Sequence, residues 1–186
     1  MFILASQSPR RREILGRFFE DFKVVPSNAD ESVIAKNPQE KAIEVARKKA
    51  WEVYNRVGGT VVGADTIVVL ENKVLGKPKN EKEAEKMLKL LSGKTHEVIT
   101  GYCIIHEGKE ITGFEVTKVK FMDLSEEEIE WYVSTGEPLD KAGAYAIQGK
   151  AAIFIEWIYG DFYNVVGLPI KVVLELKKLG FPLKQF

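Results

Sequence analysis

The sequence predicts a mixed α/β fold. Short β-like runs alternate with amphipathic helical patterns along the whole chain, which places strands and helices in one architecture. Two long β-like segments, about Glu97 to His106 and Glu110 to Met122, follow one another directly at Gly108. Hairpins mixed with crossover helices imply a mixed sheet, not a purely parallel one.

Each element has its own signal. Phe2 to Ala5 reads as a short buried strand. A helix follows with Ser8 as N-cap, Pro9 at its first position, and Ile14, Leu15 and Phe18 on one face. Phe22 to Val25 reads as a strand, and Pro26 to Asn37 as a polar loop. Asn37-Pro38 opens a second helix, with Ile43, Ala46, Ala50, Val53 and Tyr54 at helical spacing and Gly58-Gly59 at its end. Val61 to Leu70 is strand-like, and Asn72-Lys73 turns it back into Val74-Leu75. Asn80 and Glu83 form a capping-box pattern for a third helix that stops near Gly93; Ser125 and Glu128 cap a fourth, ending at Gly136. Tyr145 to Ile158 reads as β, interrupted by Gly149. Pro169 opens the last helix, with Ile170, Val173, Leu174 and Leu176 as its apolar positions.

A chain of 186 residues, 45% apolar and 29% charged, is expected to form one domain over residues 1–186 with a sizeable core. Its formal net charge is zero, so affinity for phosphate must come from local clusters of cations. A single cysteine, Cys103, excludes an intramolecular disulfide and agrees with a reducing compartment. No apolar run approaches the roughly 18 residues that span a bilayer. In the opening run the charged residues come after the apolar ones, the reverse of a signal peptide. A soluble, cytoplasmic protein with no membrane partner is the expectation.

Arg10-Arg11-Arg12 oppose the usual preference for acids at a helix N-terminus. The arrangement makes sense if an anion sits there, held by free N–H groups, the Ser6 and Ser8 hydroxyls and the guanidinium groups. A solvated basic turn is the plainer alternative. Asp65, in Gly63-Ala64-Asp65-Thr66, interrupts an apolar strand. A carboxylate there must be paired, hold a metal or line a cleft, or else bond to backbone at a bulge. Asp30-Glu31 could complete a metal site near the basic turn. Lys49 and Lys77 could each offer a point charge to a phosphate, or be solvated surface. Gln148 could read a base edge or be a loop glutamine. Gly93-Lys94-Thr95 lacks the earlier glycine and preceding strand of a phosphate loop, no G-x-G-x-x-G occurs, and His96, His106 and Cys103 are too few for structural zinc.

A series of blocks in order resembles the Maf-like nucleotide pyrophosphatases. They are L-A-S-Q-S-P-R-R-R (Leu4 to Arg12), A-R-K-K-A (Ala46 to Ala50), G-A-D-T-I-V (Gly63 to Val68), G-K-P (Gly76 to Pro78), L-S-G-K-T-H-E-V-I-T-G (Leu91 to Gly101), D-K-A-G-A-Y-A-I-Q-G (Asp140 to Gly149) and N-V-V-G-L-P (Asn164 to Pro169). The resemblance implies a long twisted sheet flanked by helices, with two lobes around a central cleft, as in the inosine triphosphatases. It implies hydrolysis between the α and β phosphates, dependence on Mg²⁺ or Mn²⁺, and often a homodimer. Asp65 matches the family's proton acceptor; Ser6, Arg10, Arg11, Glu31, Lys49 and Lys77 match its phosphate-binding and metal-site positions. Arg10, Thr66 and Gln148 match positions that track substrate choice, and they follow the dTTP/UTP branch rather than the 7-methyl-GTP branch, which resembles S-P-W-R-R, G-S-D-Q and S-E-G at these places. Ala146 departs from a frequent glycine.

The expected chemistry is metal-dependent attack of water on the α-phosphorus. Glu31 and Asp65 would hold the metal, Asp65 would deprotonate the water, and Thr66 and Gln148 would read the pyrimidine. Two rivals stand beside it: a house-cleaning pyrophosphatase for modified pyrimidine nucleotides, and a nucleotide-sensing or nucleic-acid-contacting regulator of cell division. Neutral charge and the absence of an aromatic-plus-basic motif argue against nucleic acid.

Overall fold

The structure, a computed structural model, describes all residues from Met1 to Phe186. Seven strands form one sheet: β1 (Phe2–Leu4), β2 (Phe22–Val24), β3 (Thr60–Leu70), β4 (Lys73–Leu75), β5 (Thr95–His106), β6 (Lys109–Phe121) and β7 (Ile155–Tyr159). Their order is β2-β1-β3-β5-β6-β7, with β4 on β3. β1 is parallel to both β2 and β3, whereas β3–β4 and β6–β7 are antiparallel, so the sheet is mixed, as the alternation of hairpins and crossovers requires. The helices are α1 (Pro9–Phe18), α2 (Pro38–Val57), α3 (Glu81–Leu91), α4 (Glu126–Ser134), α5 (Phe162–Val166) and α6 (Ile170–Lys178). The chain divides into two compact units, the first of residues 1–66, 100–115 and 167–186, the second of residues 67–99 and 116–166.

In the first unit the predicted caps form. The Ser8 side chain accepts from Arg11 N–H, and the Asn37 side chain from Glu40 N–H, each with proline at the start of its helix. Phe2 stacks on Phe22 and meets Phe19 and Phe181 edge-on, which ties α1 and the C-terminal tail to the strand edge. The feature that positions the site is the close approach of α2 to β3 and β5. A Cβ on Gly63 would lie 2.5 Å from the Ala46 carbonyl oxygen, and one on Gly101 2.3 Å from the Ala42 carbonyl carbon. Ala46, Ala50 and Val53 pack there against Val61, Cys103 and Ile105. On α6 the buried positions are Val172, Val173 and Leu176; Leu174, expected inside, is half exposed because the helix turns Val172 inward instead.

In the second unit α4 carries a full capping box between Ser125 and Glu128. The β3–β4 reversal places Glu71 and Asn72 at positive φ, so the turn lies one residue earlier than Asn72-Lys73. The β-like reading of Tyr145 to Ile158 is corrected. Local bonds from Gly149 N–H to the Ala146 carbonyl and from Ala152 N–H to the Gly149 carbonyl wind this stretch into a turn and a 3-10 segment, Lys150–Phe154. Only Ile155–Tyr159 reaches β6 as strand. α5 had no sequence signal. His96 is buried beside Tyr145 and Phe121, with its Nε2 2.6 Å from the Tyr145 hydroxyl and no partner at Nδ1. No helix is long and apolar enough to cross a membrane.

Two predictions follow from this packing. Gly101→Ala drives a methyl into helix backbone and should lower stability by about 1–3 kcal/mol; thermal unfolding at the wild-type midpoint would contradict the close approach. Burial pushes the His96 imidazole from 6.5 down to about 4. Between these values the unfolded chain takes up a proton that the folded chain refuses, so stability is full above pH 6.5 and falls as pH drops toward 4. The loss should be on the order of 3 kcal/mol, and denaturant titrations of His96→Asn should lack it.

Candidate active site

The site is built from α1 upward. Arg11 lies in the first turn, and its side chain turns inward and is buried. Nε donates to the Gly167 carbonyl at 2.7 Å, Nη1 to Ser6 Oγ at 3.2 Å and Nη2 to Thr66 Oγ1 at 3.0 Å. All three acceptors are uncharged, so the guanidinium is a buried cation without a direct carboxylate partner. Burial lowers its pKa, while the field of Asp65 opposes the shift. A guanidinium has five N–H donors, and one on each Nη remains for another acceptor. Ser6 Oγ already accepts from Ser8 N–H at 3.1 Å and from Arg11, which leaves its own hydrogen to be donated. A buried cation and a hydroxyl donor side by side make a seat for an anion.

Asp65 sits on β3, where its side chain is only 16% exposed. Burial raises its pKa; Lys49 and then Arg11 pull it back, and Glu31 pushes it up. Lys49 Nζ lies 3.1 Å from the Ala64 carbonyl, 3.5 Å from Asp65 Oδ1 and 3.4 Å from Glu31 Oε1. It stands on the turn of α2 whose Ala46 and Ala50 touch Gly63, so the close approach of helix to strand delivers the ammonium to the carboxylate. The loop bearing Glu31 is fastened to the same helix. Arg56 donates to the Pro26 carbonyl at 2.8 Å, Lys48 to the Ser32 carbonyl at 2.5 Å, and Glu52 accepts from Asn28 N–H.

The structure thus brings together Ser6, Arg11, Glu31, Lys49, Asp65 and Thr66 within the first unit. Arg10, half-buried on α1, adds positive potential at Arg11. Lys77, just after β4, and Gln148, in the turn before the 3-10 segment, are exposed residues of the second unit. Two contributors escaped the sequence reading. Thr100 on β5 meets Thr66 Oγ1 at 2.9 Å, and the Gly167 carbonyl receives Arg11. Both lie inside quoted motifs, but a strand threonine and a backbone oxygen give no sequence signal of their own. Gly167 has φ +141°, a conformation that favours glycine.

No group of three or more His, Cys, Asp or Glu side chains forms a ready metal cage. Glu31 and Asp65 nevertheless suit a hard divalent cation of the Mg²⁺ type. Such an ion binds through one or two carboxylates and takes other ligands from substrate phosphates and water. The raised pKa of Asp65 marks a carboxylate that a nearby cation would relieve.

The arrangement can therefore hold a polyanion at Arg11 and Ser6 beside a buried carboxylate able to take a proton. The chain is 66% identical over 182 residues to a dTTP/UTP pyrophosphatase of Pyrococcus abyssi, covering 97% of each chain. It is 61% identical over 186 residues to one of Pyrococcus horikoshii, covering 100% of each, and 51% identical over 181 residues to one of Bacillus cereus, covering 96% of this chain and 95% of that one. Its fold is similar to that of the Staphylococcus aureus Ham1 protein, with TM-score 0.57, 13% identity and coverage of 95% and 97%. The family model described as Maf-like protein matches residues 1–178, and the chain belongs to that family.

Proposed function

We propose that this chain is a nucleoside triphosphate pyrophosphatase that hydrolyses dTTP and UTP to the monophosphate and pyrophosphate. The observation that carries the reading is the buried Arg11 guanidinium, held by neutral oxygens and lying within the field of Asp65. Relatives covering nearly the full chain bear the name dTTP/UTP pyrophosphatase, which supports the substrate class. On this reading Ser6, Arg10, Arg11, Lys49 and Lys77 bind the phosphates, and Thr66 and Gln148 belong to the same substrate-binding set. A divalent cation, Mg²⁺ or Mn²⁺, held by Glu31 and Asp65 would neutralise phosphate charge and make the α-phosphorus more electrophilic. Asp65 accepts a proton from water as the water oxygen bonds to the α-phosphorus. The bond from that phosphorus to the α–β bridging oxygen breaks, and pyrophosphate leaves against Arg11 and its neighbours. Lys49 keeps Asp65 ionised at the pH where the base is needed. Residues 1–186 act as one domain on this reading, in the cytoplasm, and the homodimer that the resemblance implies is part of the same proposal.

The deciding assay is pyrophosphate release from a panel of nucleoside triphosphates, including modified pyrimidines and 7-methyl-GTP, with Mg²⁺ or Mn²⁺ and with EDTA. Metal-dependent turnover of dTTP and UTP is expected. Nucleotide binding without turnover would mark a sensor instead. Asp65→Asn should lower turnover by roughly 10²- to 10⁴-fold while the thermal midpoint persists; near wild-type turnover would end the assignment of Asp65 as base. Because a protonated Asp65 cannot accept a proton, activity should fall as pH drops through a pKa that burial raises from the ordinary aspartate value. Lys49→Met removes the first group that lowers this pKa, so the acid limb of kcat/KM should move to higher pH. An unmoved limb at saturating metal would contradict the Lys49–Asp65 coupling.

A further inference from the structure

Gln148 is exposed, yet the turn that carries it is held from both sides, wholly within the second unit. Ahead of it, Ala146 N–H donates to the Tyr132 hydroxyl at 3.2 Å. Behind it, Lys150 N–H donates to Glu137 Oε1 at 3.2 Å. The two acceptors are themselves joined, because the Tyr132 hydroxyl donates to Glu137 Oε2. Burial, and then the bond to Glu137, push the Tyr132 phenol up, so its proton stays on the oxygen and faces the carboxylate. Tyr132 lies fully buried on α4 with its ring edge-on to Phe154, at 5.4 Å between centroids. Glu137 opens the 3-10 turn after α4, and its N–H donates to Thr135 Oγ1 at 3.2 Å. Farther upstream, Tyr145 is pinned by His96, and Gly143 N–H donates at 3.1 Å to the carbonyl of Gly76, the neighbour of Lys77.

Gly149 records how closely the carboxylate approaches. Its backbone is extended, with φ −96°, and open to any residue, but a Cβ there would lie 1.9 Å from Glu137 Oε1. Glycine is needed for that approach and not for backbone freedom. The turn does not require the carboxylate to close, since Gly149 N–H already bonds to the Ala146 carbonyl at 3.0 Å. What Glu137 adds is a fixed placement of the residues on either side of Gln148. We propose that Glu137, with Tyr132 as its partner, is a positioning residue for substrate choice, holding this turn so that the Gln148 amide meets the base in one orientation. The inference rests on the pyrophosphatase reading and on the place of Gln148 in the substrate-binding set. An amide has a donor end and an acceptor end, and it discriminates between bases only while the two ends are held in place.

The test compares Glu137→Ala, Tyr132→Phe, Gln148→Ala and the double variant Glu137→Ala/Gln148→Ala, with kcat and KM measured for UTP and ATP. Glu137 is half-buried, so its truncation spares the core, and Tyr132→Phe keeps the ring on Phe154 while removing only the hydroxyl. Glu137→Ala should raise KM for UTP roughly tenfold with kcat held, and the ratio of kcat/KM for UTP over ATP should fall with it. Tyr132→Phe should move the ratio in the same direction. Gln148→Ala should lower it at least as far, and the double variant should be no worse than Gln148→Ala alone, because Glu137 acts through Gln148. Hydrogen exchange gives a readout without turnover: the Ala146 and Lys150 amides should exchange faster in Glu137→Ala than in the wild type. An unchanged UTP-to-ATP ratio in Glu137→Ala, whether activity is kept or lost for both nucleotides alike, would overturn the inference. So would effects that multiply in the double variant, unchanged exchange of the two amides, or a wild-type ratio in Gln148→Ala, which would leave nothing to position. A wild-type protein that hydrolyses no triphosphate would sink the pyrophosphatase reading instead, and calorimetric affinities for UTP and ATP in wild type and Glu137→Ala would then decide the role of Glu137.

Discussion

A guanidinium buried among neutral oxygens is the constraint on which the candidate site depends. Removing a charge from water carries a desolvation penalty of several kcal/mol unless an opposite charge compensates it. Arg11 has no such partner in direct contact; it has Gly167, Ser6 and Thr66, and the longer-range field of Asp65. The fold thus maintains a positive centre whose counter-charge is not supplied by the protein at bonding distance. A stability-driven design would have filled this place with an apolar side chain. On the proposed reading an anionic ligand arrives with its own charge, and pre-set donors then act without reorganising when the phosphates bind.

The opposite charge type is handled by a different device. Asp65 is pushed toward its neutral form by burial, and Lys49 restrains that shift. Lys49 can do so only because Gly63 and Gly101 let the backbone of α2 lie directly on the strands. The same helix fastens the loop of Glu31 through Lys48, Glu52 and Arg56. One helix therefore sets the distance between two carboxylates and the ammonium they share. Packing of small residues between α2 and the strands thereby becomes a determinant of the acid–base properties of the candidate site.

Much of this was legible in the sequence, for identifiable reasons. Ser8-Pro9 and Asn37-Pro38 are cap-and-start signals that act locally, and both helices begin where they indicate. Asp65 stood out because a carboxylate within an apolar strand has few stable environments, and the structure buries it beside a cation. Other features depended on partners distant in the chain. The inward turn of Arg11 needs Gly167, 156 residues away, so the basic run alone could not separate a buried clamp from a solvated turn. Thr100 was silent because strand threonines are common, and only its meeting with Thr66 distinguishes it. Tyr145 to Ile158 misled because apolar residues that favour strands there are wound into local turn bonds around Gly149.

The central claim is that Arg11 is a buried charge completed by substrate phosphate. A crystal structure with α,β-imido-dUTP, whose bridging nitrogen resists hydrolysis, tests it most directly. The account predicts phosphate oxygens on the free N–H groups of Arg11 Nη1 and Nη2 and on Ser6 Oγ, with Asp65 beside the α-phosphorus. Phosphates bound elsewhere, with Arg11 touching only Gly167, Ser6 and Thr66, would contradict it.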